Sequence, residues 1–144
     1  MRSLDPTWTD VASVAILVRT PDSQFESLVP RGATDAAAGY AKDNPDALIL
    51  ADDETSSALL WRYPELAGRV GFDARLEQYS RKDLARWFQF MTVSGPDWRR
   101  AAAPYDVLVV SSSRRPQLAR RLKDSPAWRV IFDGDQGLVL VRNR

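Results

Sequence analysis

Three short apolar runs constrain the fold of this 144-residue chain more than any other feature: residues 11–18, 47–51 and 107–110. Each has the length of a strand, and none alternates apolar with polar residues, which is the pattern of strands buried on both faces. Strands of that kind need helices to cover them, and helical patterns stand between them. Residues 35–42 form an Ala-rich segment with Thr34 as its expected N-cap, ended by Asn44 and Pro45. Residues 56–63 place Leu59, Leu60 and Tyr63 on one helical face and stop at Pro64. Ser80 opens the clearest helix, with Asp83 at the third helical position as in a capping box. There Leu84, Trp87, Phe88 and Met91 recur at i, i+3, i+4 and i+7, one apolar stripe. Ser113 and Pro116 start a last helix over residues 115–123, with Leu118, Ala119 and Leu122 facing inward.

Further strands are expected over residues 69–73, 129–132 and 138–141, and the third run extends to 106–111. Residues 133–137, Asp-Gly-Asp-Gln-Gly, are a hairpin turn signal. The expected architecture is therefore α/β: a three-layer, mostly parallel sheet of about five to six strands, helices on both faces, and an antiparallel C-terminal hairpin. Residues 1–10 read as a flexible lead-in and 11–144 as a single α/β domain.

Composition removes much chemistry. The chain has no Cys and no His, which excludes disulfides, thiolate or imidazole metal sites, Cys nucleophiles and His-dependent triads. Lys and Arg total 20 against 19 for Asp and Glu, so nothing points to nucleic acid as a partner. The balance is unevenly divided: residues 1–95 hold 10 basic and 14 acidic groups, and residues 96–144 hold 10 and 5. Arg outnumbers Lys 17 to 3. No apolar stretch approaches the ~20 residues of a spanning helix, and residues 1–10 lack the form of a signal peptide.

Ligands of open α/β sheets sit beyond the carboxyl ends of the strands, near a switch in strand order. Three such ends are polar here: Asp52-Asp53-Glu54, Asp73 and Arg75 with Glu77, and the segment 111–115, Ser-Ser-Ser-Arg-Arg. Brought together, they would line one rim with carboxylates and guanidinium groups suited to a sugar, a phosphate or an acid–base pair. The same residues also serve as ordinary caps and loop ties. Residues 111–115 lack the Gly-rich cradle and Lys of a phosphate loop, and no dinucleotide fingerprint follows the first strand. Asp133 and Asp135 share the spacing of a D-x-D metal motif but lie in a turn that favours Asp and Gly, so no metal or other cofactor is expected. Trp61, Trp87, Trp98 and Trp128 offer stacking surfaces, with Trp87 on the helix stripe and expected in the core.

Residues 51–61, Ala-Asp-Asp-Glu-Thr-Ser-Ser-Ala-Leu-Leu-Trp, and 63–79, Tyr-Pro-Glu-Leu-Ala-Gly-Arg-Val-Gly-Phe-Asp-Ala-Arg-Leu-Glu-Gln-Tyr, form the most specific block. This block resembles a pattern in the C-terminal soluble extracytoplasmic domain of bacterial polytopic glycosyltransferases of the GT-C class, relatives of the protein mannosyltransferases. The likeness extends more loosely over residues 11–142. Asp52, Glu54, Trp61, Arg69, Asp73, Arg75 and Glu77 match its polar and aromatic positions and are the candidate ligand-binding residues. In that class the catalytic acid lies in an early loop between membrane helices and the donor is a polyprenyl-phosphate sugar. This chain contains neither that loop nor such helices, so no catalytic residue is assigned.

The resemblance implies a non-catalytic accessory domain on the extracytoplasmic face of the cytoplasmic membrane, which positions an acceptor or glycan or stabilises the membrane-embedded part of its parent protein. Two other readings remain open. One is a small free-standing α/β enzyme with an Asp/Arg/Glu site at the strand ends. The other is a protein-interaction module that uses the acidic front and basic back of the chain.

Overall fold

The structure is a computed structural model that describes residues 31–72, 76–135 and 137–144. The expected lead-in over 1–10, the strand over 11–18, Asp73 and Arg75 lie outside the described residues. The elements run α1 (Arg31–Asp43), β1 (Ile49–Ala51), α2 (Asp53–Arg62), β2 (Val70–Gly71), α3 (Arg81–Thr92), β3 (Val107–Val110), α4 (Pro116–Lys123), β4 (Trp128–Asp133) and β5 (Leu138–Arg142). Short 3-10 turns occupy Pro64–Leu66, Leu76–Gln78 and Trp98–Ala102. None of the described helices is long and apolar enough to cross a membrane.

The five strands make one mixed sheet in the order β2-β1-β3-β5-β4. β1 runs parallel to β2 and β3, with Leu50 opposite Gly71 and Leu108. β5 is antiparallel to β3 and to β4, with Leu140 opposite Leu108 and Val130. Of the described pairings, two are parallel and two antiparallel. The expectation of a mostly parallel sheet counted the 11–18 run, which these pairings do not include.

Alternation along the strands divides the core, as a period of two requires. Leu50, Leu108, Val110, Leu138 and Leu140 face one side, packed with Phe90 and Met91 of α3, Trp98, and Leu118, Ala119 and Leu122 of α4. Ile49, Ala51, Val107, Val109, Val139 and Val141 face the other, against Ala33, Ala37, Ala38 and Ala41 of α1 and Leu59 of α2. The alanine stripe lets α1 approach closely. A Cβ on Gly137 would sit 2.6 Å from that of Ala33, so no larger residue fits there without moving the helix.

Helix boundaries depart from expectation in two places. α1 is already helical at Arg31, so Thr34 lies inside the helix, fully buried, donating to the Arg31 carbonyl at 3.0 Å and accepting from Arg62 at 2.7 Å. Its hydroxyl is a bridge between α1 and α2 rather than a cap. α2 starts at Asp53 rather than at residue 56, because Asp52 caps it: the Asp52 carboxylate accepts from the Thr55 N–H at 2.8 Å. α3 keeps its Ser80 cap, whose hydroxyl accepts from the Asp83 N–H at 3.1 Å. The inward stripe is Leu84, Trp87, Phe90 and Met91, and Phe88 is 61% exposed.

Candidate functional site

Strand order reverses beside β1: the chain steps to β2 on one side and later returns to β3 on the other. The loops leaving β1 and β3 lead to helices on opposite faces of the sheet, α2 toward the alanine-lined side and α4 toward the aromatic side. A crevice between such loops is where open α/β sheets hold ligands. Its walls here are Asp52 and Glu54 from the β1–α2 junction and residues 111–114 from the β3–α4 junction.

The crevice is spanned by Arg114, which ties its two carboxylates together. Asp52 is 4% exposed and already accepts the Thr55 N–H. The Arg114 guanidinium reaches the same carboxylate at 3.2 Å and also pairs with Glu54. Ser111 holds Arg114 in place, its Oγ accepting from the Arg114 backbone N–H and Nε at 3.3 Å each. Both Asp52 oxygens are engaged within the protein, Oδ1 by the Thr55 N–H and both by Arg114. The arrangement braces two loops across the switch in strand order. Ser112 Oγ is buried without a hydrogen-bond partner, and both carboxylates of the crevice are engaged by Arg114 rather than poised to take its proton.

The remaining candidates separate. Arg69 precedes β2 and donates to the carbonyls of Ala41 at 2.9 Å, Asn44 at 2.8 Å and Ala47 at 3.0 Å. It satisfies the carboxyl end of α1 and ties it to the approach to β1, a cation at a helix C-terminus. Trp61 lies on the last turn of α2 and is 73% exposed, away from the core. Glu77 is exposed on a 3-10 turn between β2 and α3. The structure thus brings Asp52 and Glu54 together through Arg114, and employs Arg69 elsewhere as a backbone clamp.

The other motifs resolve into structure as well. Trp98 and Trp128 are buried, and Trp87 packs on the core with its indole N–H 3.4 Å from the Ala51 carbonyl. Asp133 pairs with Lys123 at 2.5 Å, and the following turn closes with the Gly134 N–H donating to the Gly137 carbonyl at 2.9 Å. Among the described residues, no three acidic side chains gather closely enough to hold a metal ion.

Two arginines that sequence reasoning passed over matter to this geometry. Arg114 belonged to a noted polar segment, but its partners lie about sixty positions away in the chain. Arg142 donates to the carbonyls of Ala102 at 2.8 Å and Tyr105 at 2.7 Å, with its guanidinium 4.4 Å over the Trp128 ring. It fastens the Trp98–Ala102 turn to the sheet, and no local signal announces such a role. No family model, no curated protein and no solved structure matches the chain.

Proposed function

We propose that this chain is a non-catalytic accessory domain of a membrane glycosyltransferase-like protein, held on the extracytoplasmic face of the membrane, where it positions acceptor or glycan or stabilises the membrane-embedded part. In this reading it is a three-layer domain whose C-terminal hairpin borders the sheet. The resemblance of residues 51–79 motivates the parent class. The observation that carries the non-catalytic part is the crevice at the switch in strand order: Asp52 caps α2, and Arg114 pairs with both Asp52 and Glu54. Acid–base chemistry needs a group free to exchange a proton at the reacting atom, and the described rim supplies none.

The test is the DNA on the 5′ side of the Met1 codon. An in-frame sequence encoding several membrane-spanning segments is the expected result. A stop codon and a promoter immediately ahead of Met1, with no such segments, would overturn the assignment to a parent membrane protein.

A further inference from the structure

A second concavity differs from the crevice in every respect that matters for binding. It is an open cleft of about 240 Å³ beside β2, lined by Phe72, Tyr79, Asp83, Arg86, Arg100 and Tyr105 among others. α3 supplies Asp83 and Arg86, the Trp98–Ala102 turn supplies Arg100, and Tyr105 stands just ahead of β3. We propose that this cleft binds a small oxyanion, a carboxylate or phosphate, borne on a ring.

The first support is charge without a partner. Among the described residues, neither Arg86 nor Arg100 makes an ion pair or a side-chain hydrogen bond, whereas Arg69, Arg114 and Arg142 are all engaged. Among the described lining residues the one carboxylate is Asp83, which already accepts from the Ser80 hydroxyl at 2.6 Å. Two guanidinium groups against one carboxylate leave the described lining with a net positive charge, and planar guanidinium donors match carboxylate and phosphate oxygens.

The second support is a pair of phenols kept as donors. Tyr79 Oη accepts the Phe72 N–H at 3.1 Å and retains its own proton to give. Tyr105 Oη makes no hydrogen bond among the described residues, and burial, followed by the charges of Tyr79 and Asp83, pushes its ionisation above the ordinary value. It lies against β2 only because residue 71 is glycine: a Cβ there would stand 2.2 Å from the phenol oxygen.

The third support is the aromatic floor. Phe72 is buried and holds φ 58, a left-handed conformation that a bulky residue adopts at a cost. In that conformation its ring stacks with Tyr79 at 4.6 Å and with Trp87 at 5.7 Å between centroids. A stacked aromatic wall beside free cations suits a ring carrying an anion better than a bare ion.

The proposal stands apart from the accessory-domain reading and is tested on the intact chain. Benzoate, phenyl phosphate and inorganic phosphate are titrated while amide and tyrosine ring resonances are followed. Saturable millimolar shifts at Phe72, Tyr79, Arg100 and Tyr105 with the two ring-borne anions, and about tenfold weaker binding of inorganic phosphate, are expected. Arg86→Gln and Arg100→Gln each weaken binding about tenfold, Gly71→Ala weakens it by displacing Tyr105, and Arg81→Gln leaves it unchanged. Equal binding by Arg86→Gln and the natural chain, at unchanged thermal unfolding, overturns the site. So does an absence of saturable shifts, or equal binding of all three anions with shifts at Arg81 and Lys82, which marks a loose surface ion.

Discussion

The crevice between β1 and β3 and the cleft beside β2 are built from the same polar side chains, and they use them in opposite ways. In the crevice the charged groups are tied to one another: Asp52 to the Thr55 N–H and Arg114, Glu54 to Arg114, and Arg114 to both carboxylates and Ser111. In the cleft Arg86 and Arg100 belong to the lining without an ion pair among the described residues, and a phenol sits over a glycine. Position in the fold would have nominated the first, since ligand sites of α/β sheets gather at the switch in strand order. Guanidinium groups without an ion pair nominate the second. A polar residue at a strand end is evidence of function only when its hydrogen-bonding capacity is unfilled.

The comparison breaks most visibly if the engaged arginines prove dispensable. Arg69→Ala strands three backbone carbonyls at the end of α1 and the start of β1 and is expected to cost about 2–3 kcal/mol in urea unfolding. Arg86→Gln and Arg100→Gln, which remove side chains with no partner in the described structure, are expected to change stability by less than about 0.5 kcal/mol in either direction. Equal losses from both groups would erase the distinction between framework and free guanidinium groups.

A smaller effect sharpens it through pH. The Tyr105 phenol is raised above its ordinary value by burial first, and Tyr63 is raised by burial and then by its hydrogen bond to Asp35. Below about pH 10 both phenols keep their protons whether the chain is folded or not, so their contribution is constant. Above that pH the unfolded chain releases these protons first and binds fewer than the native state, so stability falls as pH rises. Phenolate absorbance of the folded chain should show two late-titrating tyrosines, and Tyr105→Phe should remove one of them and flatten the alkaline loss of stability.

Much of the architecture was legible because it is written locally. The apolar runs at 47–51 and 107–110 hold β1 and β3, Ser80 caps α3, and Leu118, Ala119 and Leu122 of α4 are buried as their spacing requires. What escaped depends on contacts between distant residues or on rival local meanings. Asp52-Asp53-Glu54 after a strand is the same string whether it caps a helix or lines a site, so α2 was expected three residues late. Thr34 has the chemistry of a cap but meets Arg62 of α2, a partner that no local rule reveals. Phe88 fits the i+4 position of the stripe, yet Phe90 takes the inward place because the helix face is centred between Trp87 and Met91. Arg69 was singled out by resemblance, but its clamp on Ala41, Asn44 and Ala47 exists only once α1 and β1 are placed. The cleft was invisible for the same reason, since Gly71 and Tyr105 become neighbours only in the folded sheet.

The role of Asp52 decides the account most directly, and equilibrium urea unfolding of Asp52→Ala and Asp52→Asn beside the natural chain measures it. If the carboxylate is framework, alanine removes the α2 cap and one of the two carboxylate partners of Arg114, and stability falls by about 1–2 kcal/mol. Asparagine keeps the cap and loses only the ion pair, so its loss should be about 0.5 kcal/mol. Unchanged or increased stability in Asp52→Ala, the behaviour of an acid held in place for chemistry at the expense of the fold, would contradict it.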